Sequence, residues 1–321
     1  MERTCEICGS KLTIKELSLD GYDIFRCDHC HHRQLSPLPS KEDIENYYSK
    51  QDNTIGNSNA FRNIMDYVGD RKTFHKYHIR RLKEILRYPS LKNRDARFLE
   101  IGCGPGCFLA LLRDFYGFAN VQGIDISKPI VDAGREQLHV DIHCCDAGEV
   151  KEYPGAPFDF IYSYHSLEHT SHPSTIVCNM YKNLAEGGEL FLSVPNYRGL
   201  FGTLAKDKWY WILPPSHIHY FTKDSMKYLL EKAGFRHYSV KTGIISTIGS
   251  LPADFVRAGR AIVFNHRVGT LSKSMLETNH HTVLVADLLS RFFLSPLLGY
   301  MYLTDTFDTI NVYAKKCEHH R

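Results

Sequence analysis

Four cysteines near the start of the chain have the spacing of a metal site. They form two Cys-x-x-Cys pairs with 18 residues between them, Cys5 with Cys8 and Cys27 with Cys30. Two such turns can direct four thiolates at one point, as a structural Zn²⁺ requires, although a redox-active Cys-x-x-Cys is the alternative. The intervening segment alternates around Asp20-Gly21, which predicts a β-hairpin. The pattern predicts a zinc ribbon whose folding depends on the metal.

A second group of residues with chemical meaning is a glycine turn. A buried-strand pattern at residues 98–101 runs into G-C-G-P-G and then into the helical pattern CFLALLRDFY. This is the layout of nucleotide-binding sites, because glycines let a ligand approach the backbone and a helix N-terminus offers free N–H groups. The second and third glycines are two positions apart, whereas a dinucleotide site spaces them by three. Asp125 ends the next strand pattern, 19 residues after the last glycine, an interval suited to binding ribose hydroxyls.

These motifs resemble those of class I S-adenosyl-L-methionine (SAM)-dependent methyltransferases. The segments ExGxGxG, DIHCCDAGEV, FDFIYSYHSLEH and LAEGGELFLSV follow one another in that family's order between residues 96 and 240. The resemblance implies an α/β fold, a Rossmann-like seven-stranded sheet whose final strand is antiparallel. It also implies that Glu100 contacts the methionine ammonium, Asp125 the ribose and Asp146 the adenine amine. The residues it assigns to SAM are Glu100, Gly102, Gly104, Gly106, Asp125, Ile126, Asp146, Tyr164 and His165.

Histidines in the second half of the chain could remove the acceptor's proton. Methyl transfer is an in-line displacement, and a sulfonium needs no metal activation, so the protein must align the acceptor and supply a base near neutrality. Glu168 could orient one of the imidazoles. His32 lies in a polar stretch and receives no role. The candidate bases, in order of preference, are His217, then His169 and His165, then His219.

The acceptor is indicated by a further resemblance. The segment PPSHIHYFTKDSMKYLLEKAGF, the cysteine pairs and the PLPS…YYS linker are similar to zinc-ribbon methyltransferases that modify sugars and surface polysaccharides. This implies methyl transfer to a hydroxyl or carbon of a small-molecule or sugar-type acceptor. The alternatives are an RNA or protein methyltransferase that grips its substrate with the ribbon, and a non-catalytic SAM-binding scaffold. A net charge of only +3 disfavours nucleic acid as a partner.

The elements that must position these residues divide the chain into three parts. We expect a zinc ribbon at 1–38, a linker with covering helices at 39–95, and a methyltransferase domain at 96–321 with a helical insertion at about 245–308. A hydrophobic fraction of 43% and a charged fraction of 23% exclude a disordered or fibrous chain.

The charged N-terminus predicts a cytoplasmic location. Charges and a proline interrupt the apolar stretch at 283–303, which predicts no membrane span and leaves peripheral membrane contact open. The sequence leaves the oligomeric state undetermined.

Overall fold

The computed structural model describes residues 3–40, 42–44, 59–243 and 300–317. The strands in these ranges are β1 (Ile14–Leu19), β2 (Tyr22–Arg26), β3 (Arg33–Leu35), β4 (Phe98–Ile101), β5 (Val121–Asp125), β6 (Asp141–Cys144), β7 (Phe158–Tyr164), β8 (Leu184–Pro195), β9 (His219–Tyr220), β10 (His237–Gly243) and β11 (Thr309–Lys315). The α-helices are α1 (Asn59–Gly69), α2 (Arg71–Ile85), α3 (Cys107–Tyr116), α4 (Lys128–Leu138), α5 (Pro173–Asn183), α6 (Leu200–Ala205) and α7 (Lys223–Ala233). Most of the predicted helical insertion lies outside the described residues, and of its last part residues 300–304 are helical.

A mostly parallel sheet of seven strands organises the larger part of the described chain. Its order is β10-β11-β8-β7-β4-β5-β6. The central strand β4 pairs in parallel with β5 and β7, and β11 is antiparallel to both β8 and β10. The predicted Rossmann-like sheet with an antiparallel last strand is therefore confirmed. Since the carboxyl ends of the parallel strands meet at one edge, the segments that follow β4, β5, β6 and β7 lie side by side there.

The two faces of the sheet are covered by different helices because side chains alternate along each strand. In β4, Phe98 packs into a core with α2 and α3, whereas Leu99 and Ile101 pack into a second core with α5 and α7. Glu100 shares the face of Phe98 and is only 3% exposed. The alternation thus buries a carboxylate directly before the glycine turn.

Helix α2, within the segment where covering helices were expected, lies on the first of these faces. Its N-terminus is capped by Asp70, whose carboxylate accepts from the amides of Lys72 and Thr73 at 3.1 Å. The apolar side chains that it buries are Phe74, Leu82 and Ile85. Arg81 also lies on the protein side of the helix and ion-pairs with Glu100.

The N-terminal ribbon (residues 3–35) forms a smaller sheet with the order β1-β2-β3-β9. The predicted hairpin is confirmed, with Asp20 and Gly21 at its turn, both at positive φ. The fourth strand comes from the larger part of the chain, since Arg33 and Gln34 of β3 pair antiparallel with residues of β9. The ribbon sheet is therefore completed by a segment nearly 190 residues later.

Apolar cores hold the ribbon on both sides. Cys5, Ile7 and Phe25 belong to the core that contains α5, α7 and one face of the large sheet. Ile24 and Leu35 belong to a third core shared with segments 197–220 and 301–307. The ribbon is thus packed into the molecule as one of its layers.

The sequence predicts no membrane-spanning helix. Among those in the described ranges, none combines the length and the apolar character needed to cross a bilayer.

Candidate active site

The three glycines of the turn after β4 all have positive φ, but the space around each of them differs. A Cβ on Gly102 would lie 2.0 Å from Oγ of Ser166, and one on Gly106 would lie 2.8 Å from the side chain of Ile142. Around Gly104, at φ +55°, no atom of the described chain outside its immediate neighbours lies within 4 Å of such a Cβ. The outer glycines admit the protein's own side chains, whereas the middle one leaves space that a ligand can enter.

The carboxylate of Asp125, at the end of β5, is held by the glycine turn. Its Oδ2 accepts from the amide of Gly104 at 2.8 Å, and its Oδ1 from the amide of Ser127 at 3.0 Å. Burial raises the pKa of this carboxyl, and these amide hydrogen bonds oppose the shift. The acid predicted to bind ribose hydroxyls is therefore held directly against the glycine turn.

Two further predicted residues flank this point. Asp146 lies two residues beyond the end of β6, half-buried, with its Oδ1 accepting from the amide of Gly148 at 2.7 Å. Ile126 is 64% exposed beside the end of β5. An exposed apolar side chain next to an oriented carboxylate suits the flat, hydrogen-bonding face of a base such as adenine.

A cavity opens between the glycine turn and the helices α1 and α2. Among its lining residues are Asn63, His78, Arg81, Glu100, Gly104 and Tyr164. Oε1 of Glu100 lies 2.7 Å from Nη2 of Arg81, while Oε2 has no hydrogen-bond partner in the described chain. Burial raises the pKa of Glu100 to about 7, against the influence of Arg81. Glu100 therefore lines the cavity with one carboxylate oxygen that lacks a hydrogen-bond partner in the described chain, an arrangement that suits a cationic group.

Arg81 and His78 were not predicted from the sequence. The Arg81 guanidinium stacks at 3.9 Å over the ring of Phe108 and at 4.2 Å over that of Tyr164. Burial lowers the pKa of His78 to about 4. His78 and Arg81 follow Phe74 by four and seven positions, a spacing that places all three on one face of a helix. This spacing in the sequence could have indicated that both residues lie on the buried face of α2.

A cluster of histidines around Glu168 lies at the carboxyl ends of β7 and β8; its members are His165, Glu168, His169 and His217. Nδ1 of His165 is 3.3 Å from Oε1 of Glu168. Trp211 stacks on His165 at 5.0 Å and on His217 at 5.5 Å between ring centroids. The rings of His169 and His217 meet edge to face at 4.6 Å. The structure thus brings four of the five predicted catalytic side chains together.

The charges in this cluster follow from burial. Burial opposes the ionisation of Glu168, but the neighbouring imidazoles, His165 first, outweigh it and lower its pKa to about 2. Burial, with His169 next, lowers the pKa of His217 to about 3. A neutral imidazole therefore stands near an ionised carboxylate at physiological pH. Neither oxygen of Glu168 makes a hydrogen bond within the described chain.

Hydrogen bonding selects one nitrogen of His169 as the basic atom. Its Nδ1 lies 2.9 Å from the carbonyl oxygen of Ser216, which can only accept, so Nδ1 carries the hydrogen and Nε2 the lone pair in the neutral ring. The ligand atoms of Glu168, His169 and His217 lie within 4.8 Å of one another, a spacing that a divalent cation also accepts.

The cluster adjoins the glycine turn. Ser166, between His165 and Glu168, is the residue whose side chain fills the space beside Gly102. The carbonyl of Glu168 accepts from the amide of Ile218 at 2.8 Å, which places the segment that carries His217 against it. The cofactor half and the substrate half of the prediction therefore meet at one edge of the sheet.

His219 has a different place from the other candidate bases. Its Nδ1 lies 2.9 Å from Nε2 of His32, and the two rings stack at 5.1 Å. Both side chains are at most 1% exposed, within the contact between the ribbon and the rest of the molecule. His219 therefore lies apart from the cluster that the other candidate bases form. This contact also corrects the expectation for His32, which is fully buried rather than part of a solvated polar stretch.

The four predicted metal-binding cysteines converge. The Sγ atoms of Cys5 and Cys30 are 3.6 Å apart, those of Cys8 and Cys27 are 3.4 Å apart, and all four lie within 4.8 Å of one another. Four thiolates at about 2.3 Å from a tetrahedral Zn²⁺ are separated by roughly 3.8 Å. The donor set and its spacing therefore fit zinc.

Comparison with known proteins agrees with this geometry. A family model described as a methyltransferase domain matches residues 71–240, which is just over half of the chain and begins with α2. Ubiquinone biosynthesis O-methyltransferase of Candida albicans is 28% identical over 120 residues, 36% of this chain and 37% of that protein. Trans-aconitate 2-methyltransferase of Delftia acidovorans is 32% identical over 103 residues, 31% and 38% of the two chains.

Among solved structures, phosphoethanolamine N-methyltransferase 2 of Haemonchus contortus, in complex with phosphomonomethylethanolamine and S-adenosylhomocysteine, superposes with a TM-score of 0.53. The match has 17% identity and covers 89% of this chain and 62% of that one. Such a likeness supports the fold. The chain spans less than two fifths of the length of the two curated relatives.

Proposed function

Because the chain belongs to the methyltransferase domain family, we propose that it is a SAM-dependent methyltransferase that acts on a small-molecule or carbohydrate-type acceptor. The observation that carries the proposal is the cavity beside Gly104, where Glu100 presents an unpartnered buried carboxylate oxygen. That arrangement suits a ligand with an ammonium group and an extended chain. The complementary carboxylate at Asp125 suits the ribose of the same ligand.

The described residues offer a partner for each part of the cofactor. Glu100 would accept from the methionine ammonium, and Arg81, which stacks over aromatic rings in the same cavity, would bind the carboxylate of the tail. Asp125 would accept from the ribose hydroxyls, and Asp146 from the adenine amine beside Ile126. The bound cofactor would supply a methyl group on a sulfonium, which needs no metal activation.

A histidine of the cluster would take the acceptor's proton, with His217 as the first choice. Its ring is neutral at physiological pH because burial lowers its pKa to about 3. That pKa already includes the favourable influence of the nearby Glu168 carboxylate, which would stabilise the imidazolium as the proton is transferred. His169, with Nε2 as its basic nitrogen, and His165, in contact with Glu168, are the other candidates.

The proposed acceptor class rests on the site and on the relatives. Two of the relatives are named a trans-aconitate 2-methyltransferase and a ubiquinone biosynthesis O-methyltransferase, which supports a small-molecule acceptor. The cluster offers Glu168, neutral imidazoles and the Nε1 of Trp211, which has no hydrogen-bond partner in the described chain. These groups suit a polyhydroxylated acceptor with an apolar face, as a sugar has.

We also propose that the cysteine cluster holds a structural Zn²⁺.

Two other functions predict different behaviour. An RNA or protein methyltransferase would use the ribbon to grip a macromolecule, but the ribbon packs into the protein on both sides. A non-catalytic scaffold would bind SAM and never release S-adenosylhomocysteine. The net charge of +3 gives no electrostatic support for nucleic acid.

Paired substitutions test the cofactor and base assignments together. Asp125→Ala should weaken S-adenosylhomocysteine binding about 100-fold, because hydrogen bonds to a charged group contribute about 1.5–3 kcal/mol each. His217→Asn should leave that affinity within about twofold and lower turnover about 100-fold, as expected for loss of a general base. Binding is measured by calorimetry, and turnover as S-adenosylhomocysteine release with trans-aconitate and small sugars as acceptors.

The matched control is Asp141→Asn, which alters an exposed acid at the other end of β6 and should change neither quantity. Unchanged affinity in Asp125→Ala would refute the cofactor site. Full turnover in His217→Asn would transfer the base role to His169 or His165.

Zinc analysis should give one metal per chain. A second equivalent that Glu168→Gln removes would make the histidine cluster a metal site instead.

A further inference from the structure

Ile218 connects the ribbon with the histidine cluster by backbone hydrogen bonds. Ile218 follows His217, and its carbonyl accepts from the amide of Leu35 in the ribbon at 2.9 Å. Its own amide donates to the carbonyl of Glu168 at 2.8 Å. Ile218 therefore bonds to the ribbon through its carbonyl and to the segment that carries the histidine cluster through its amide.

The second cysteine pair leads directly into this connection. Cys30 is followed within three residues by β3, and the amide of Cys27 bonds to the carbonyl of His32 at 2.8 Å. The His32 side chain, fully buried, contacts His219 of β9 at 2.9 Å. Any shift of the second cysteine pair is therefore passed to β9.

The first cysteine pair is anchored to the large domain. Nζ of Lys232 in α7 donates to the carbonyl of Ile7 at 2.6 Å, and Oγ of Ser174 in α5 donates to that of Glu6 at 2.7 Å. The amide of Glu6 donates to Oε1 of Gln34 in β3 at 2.8 Å. A metal held by both pairs would thus tie the anchored turn to the strand that contacts β9.

We propose that the ribbon metal positions the acceptor half of the active site. With the metal bound, the β3–β9 pairing holds His217 and Trp211 against Glu168; without it, this arrangement is lost. The cofactor half, formed by Glu100, the glycine turn and Asp125, is held by contacts among β4, β5 and α2, and we expect the folded protein to keep its cofactor affinity when the metal is removed. The inference rests on the proposed zinc site and on the proposed methyltransferase activity.

Intrinsic fluorescence gives a direct readout, because the chain has only two tryptophans, Trp209 and Trp211, and both precede β9. The first experiment removes zinc from the full-length protein with a chelator and then restores it. The tryptophan emission should shift to the red on removal and return on zinc addition. Hydrogen exchange at the Leu35 and Ile218 amides should accelerate about tenfold, since both bonds lie in the proposed connection. Calorimetric affinity for S-adenosylhomocysteine should change less than about twofold.

A second variant guards against global unfolding after zinc loss. His32→Leu keeps all four cysteines and removes the contact with His219, so it should retain one zinc per chain yet show the same emission shift and faster exchange. Lys15→Ala, in β1 at the far edge of the ribbon sheet, is the matched control and should show neither. Unchanged emission and exchange in both zinc-free protein and His32→Leu would overturn the proposal.

The outcomes separate this inference from the proposed function. Absence of S-adenosylhomocysteine binding by the zinc-loaded protein would refute the methyltransferase assignment and leave the emission test intact. A chain that binds S-adenosylhomocysteine but contains no zinc, or whose emission ignores zinc, would refute only the positioning role.

Discussion

At the level of single residues, Glu100 shows how burial changes the ionisation of an acid. It is 3% exposed, and burial raises its pKa to about 7 although Arg81 lies 2.7 Å away. Because the folded pKa is raised, ionisation of this group costs stability as pH rises from its ordinary value towards 7. An incoming ammonium would repay that cost, which makes the carboxylate a selective partner for a cation.

This shift predicts a pH dependence of cofactor binding. The affinity for S-adenosylhomocysteine should rise about tenfold between roughly pH 6 and pH 8, because the ammonium prefers the ionised carboxylate. Protons should be released on binding at pH 6.5, measured by calorimetry in buffers of different ionisation enthalpy. Glu100→Gln should bind more weakly and lose the slope. A wild-type slope that persists in Glu100→Gln would assign the effect to another group.

At the level of elements, the strand-turn-helix unit from β4 to α3 uses its glycines for separate purposes. Gly102 gives space to Ser166 and so brings the segment that carries His165 and Glu168 against the turn, whereas Gly104 faces open space. Both have positive φ, so any side chain at either position also carries backbone strain of about 1–2 kcal/mol.

Alanine substitutions should separate folding from binding in this unit. Gly104→Ala should lose about 1–2 kcal/mol of unfolding free energy, the strain alone, and bind S-adenosylhomocysteine at least about tenfold more weakly. Gly102→Ala should lose about 2–5 kcal/mol, because a Cβ 2.0 Å from Ser166 adds overpacking to that strain. Urea unfolding and calorimetry measure the two effects.

The matched double variant Gly102→Ala/Ser166→Gly removes the clash and should recover part of that stability. If Gly104→Ala bound the ligand normally, the space beside Gly104 would not be the binding site.

At the level of the whole molecule, the ribbon and the large sheet share cores and should unfold together. Cys5 and Ile7 lie in the same apolar core as Leu190 and Ile310 of the sheet. We expect one cooperative thermal transition, whose midpoint falls by about 10 °C or more on chelation because metal binding contributes to folding. Calorimetry with and without zinc measures this. A separate low-temperature transition for the ribbon, with the main one unmoved, would contradict a shared core.

The sequence by itself determined the parts whose signals are local. These parts are the two Cys-x-x-Cys pairs, the hairpin turn at Asp20, the glycine turn and the acid that ends β5. Each is recognised from a few consecutive residues or from the strand pattern that precedes it. Hydrophobic periodicity and turn chemistry act over such short ranges. The seven-stranded sheet, in contrast, was predicted from the resemblance of these motifs to a known family.

Tertiary structure alone decided which side chains meet. Arg81 reaches Glu100 across 19 positions, and His32 reaches His219 across 187, so no local pattern could reveal either contact. The same folding grouped His217 with His169 and Glu168 and turned His219 towards the ribbon, although only Ile218 separates the two histidines. Residues two positions apart on a regular strand would share a face. Here His217 precedes β9, whereas His219 belongs to β9 and its pairing with the ribbon, and only the folded chain decides where that pairing begins.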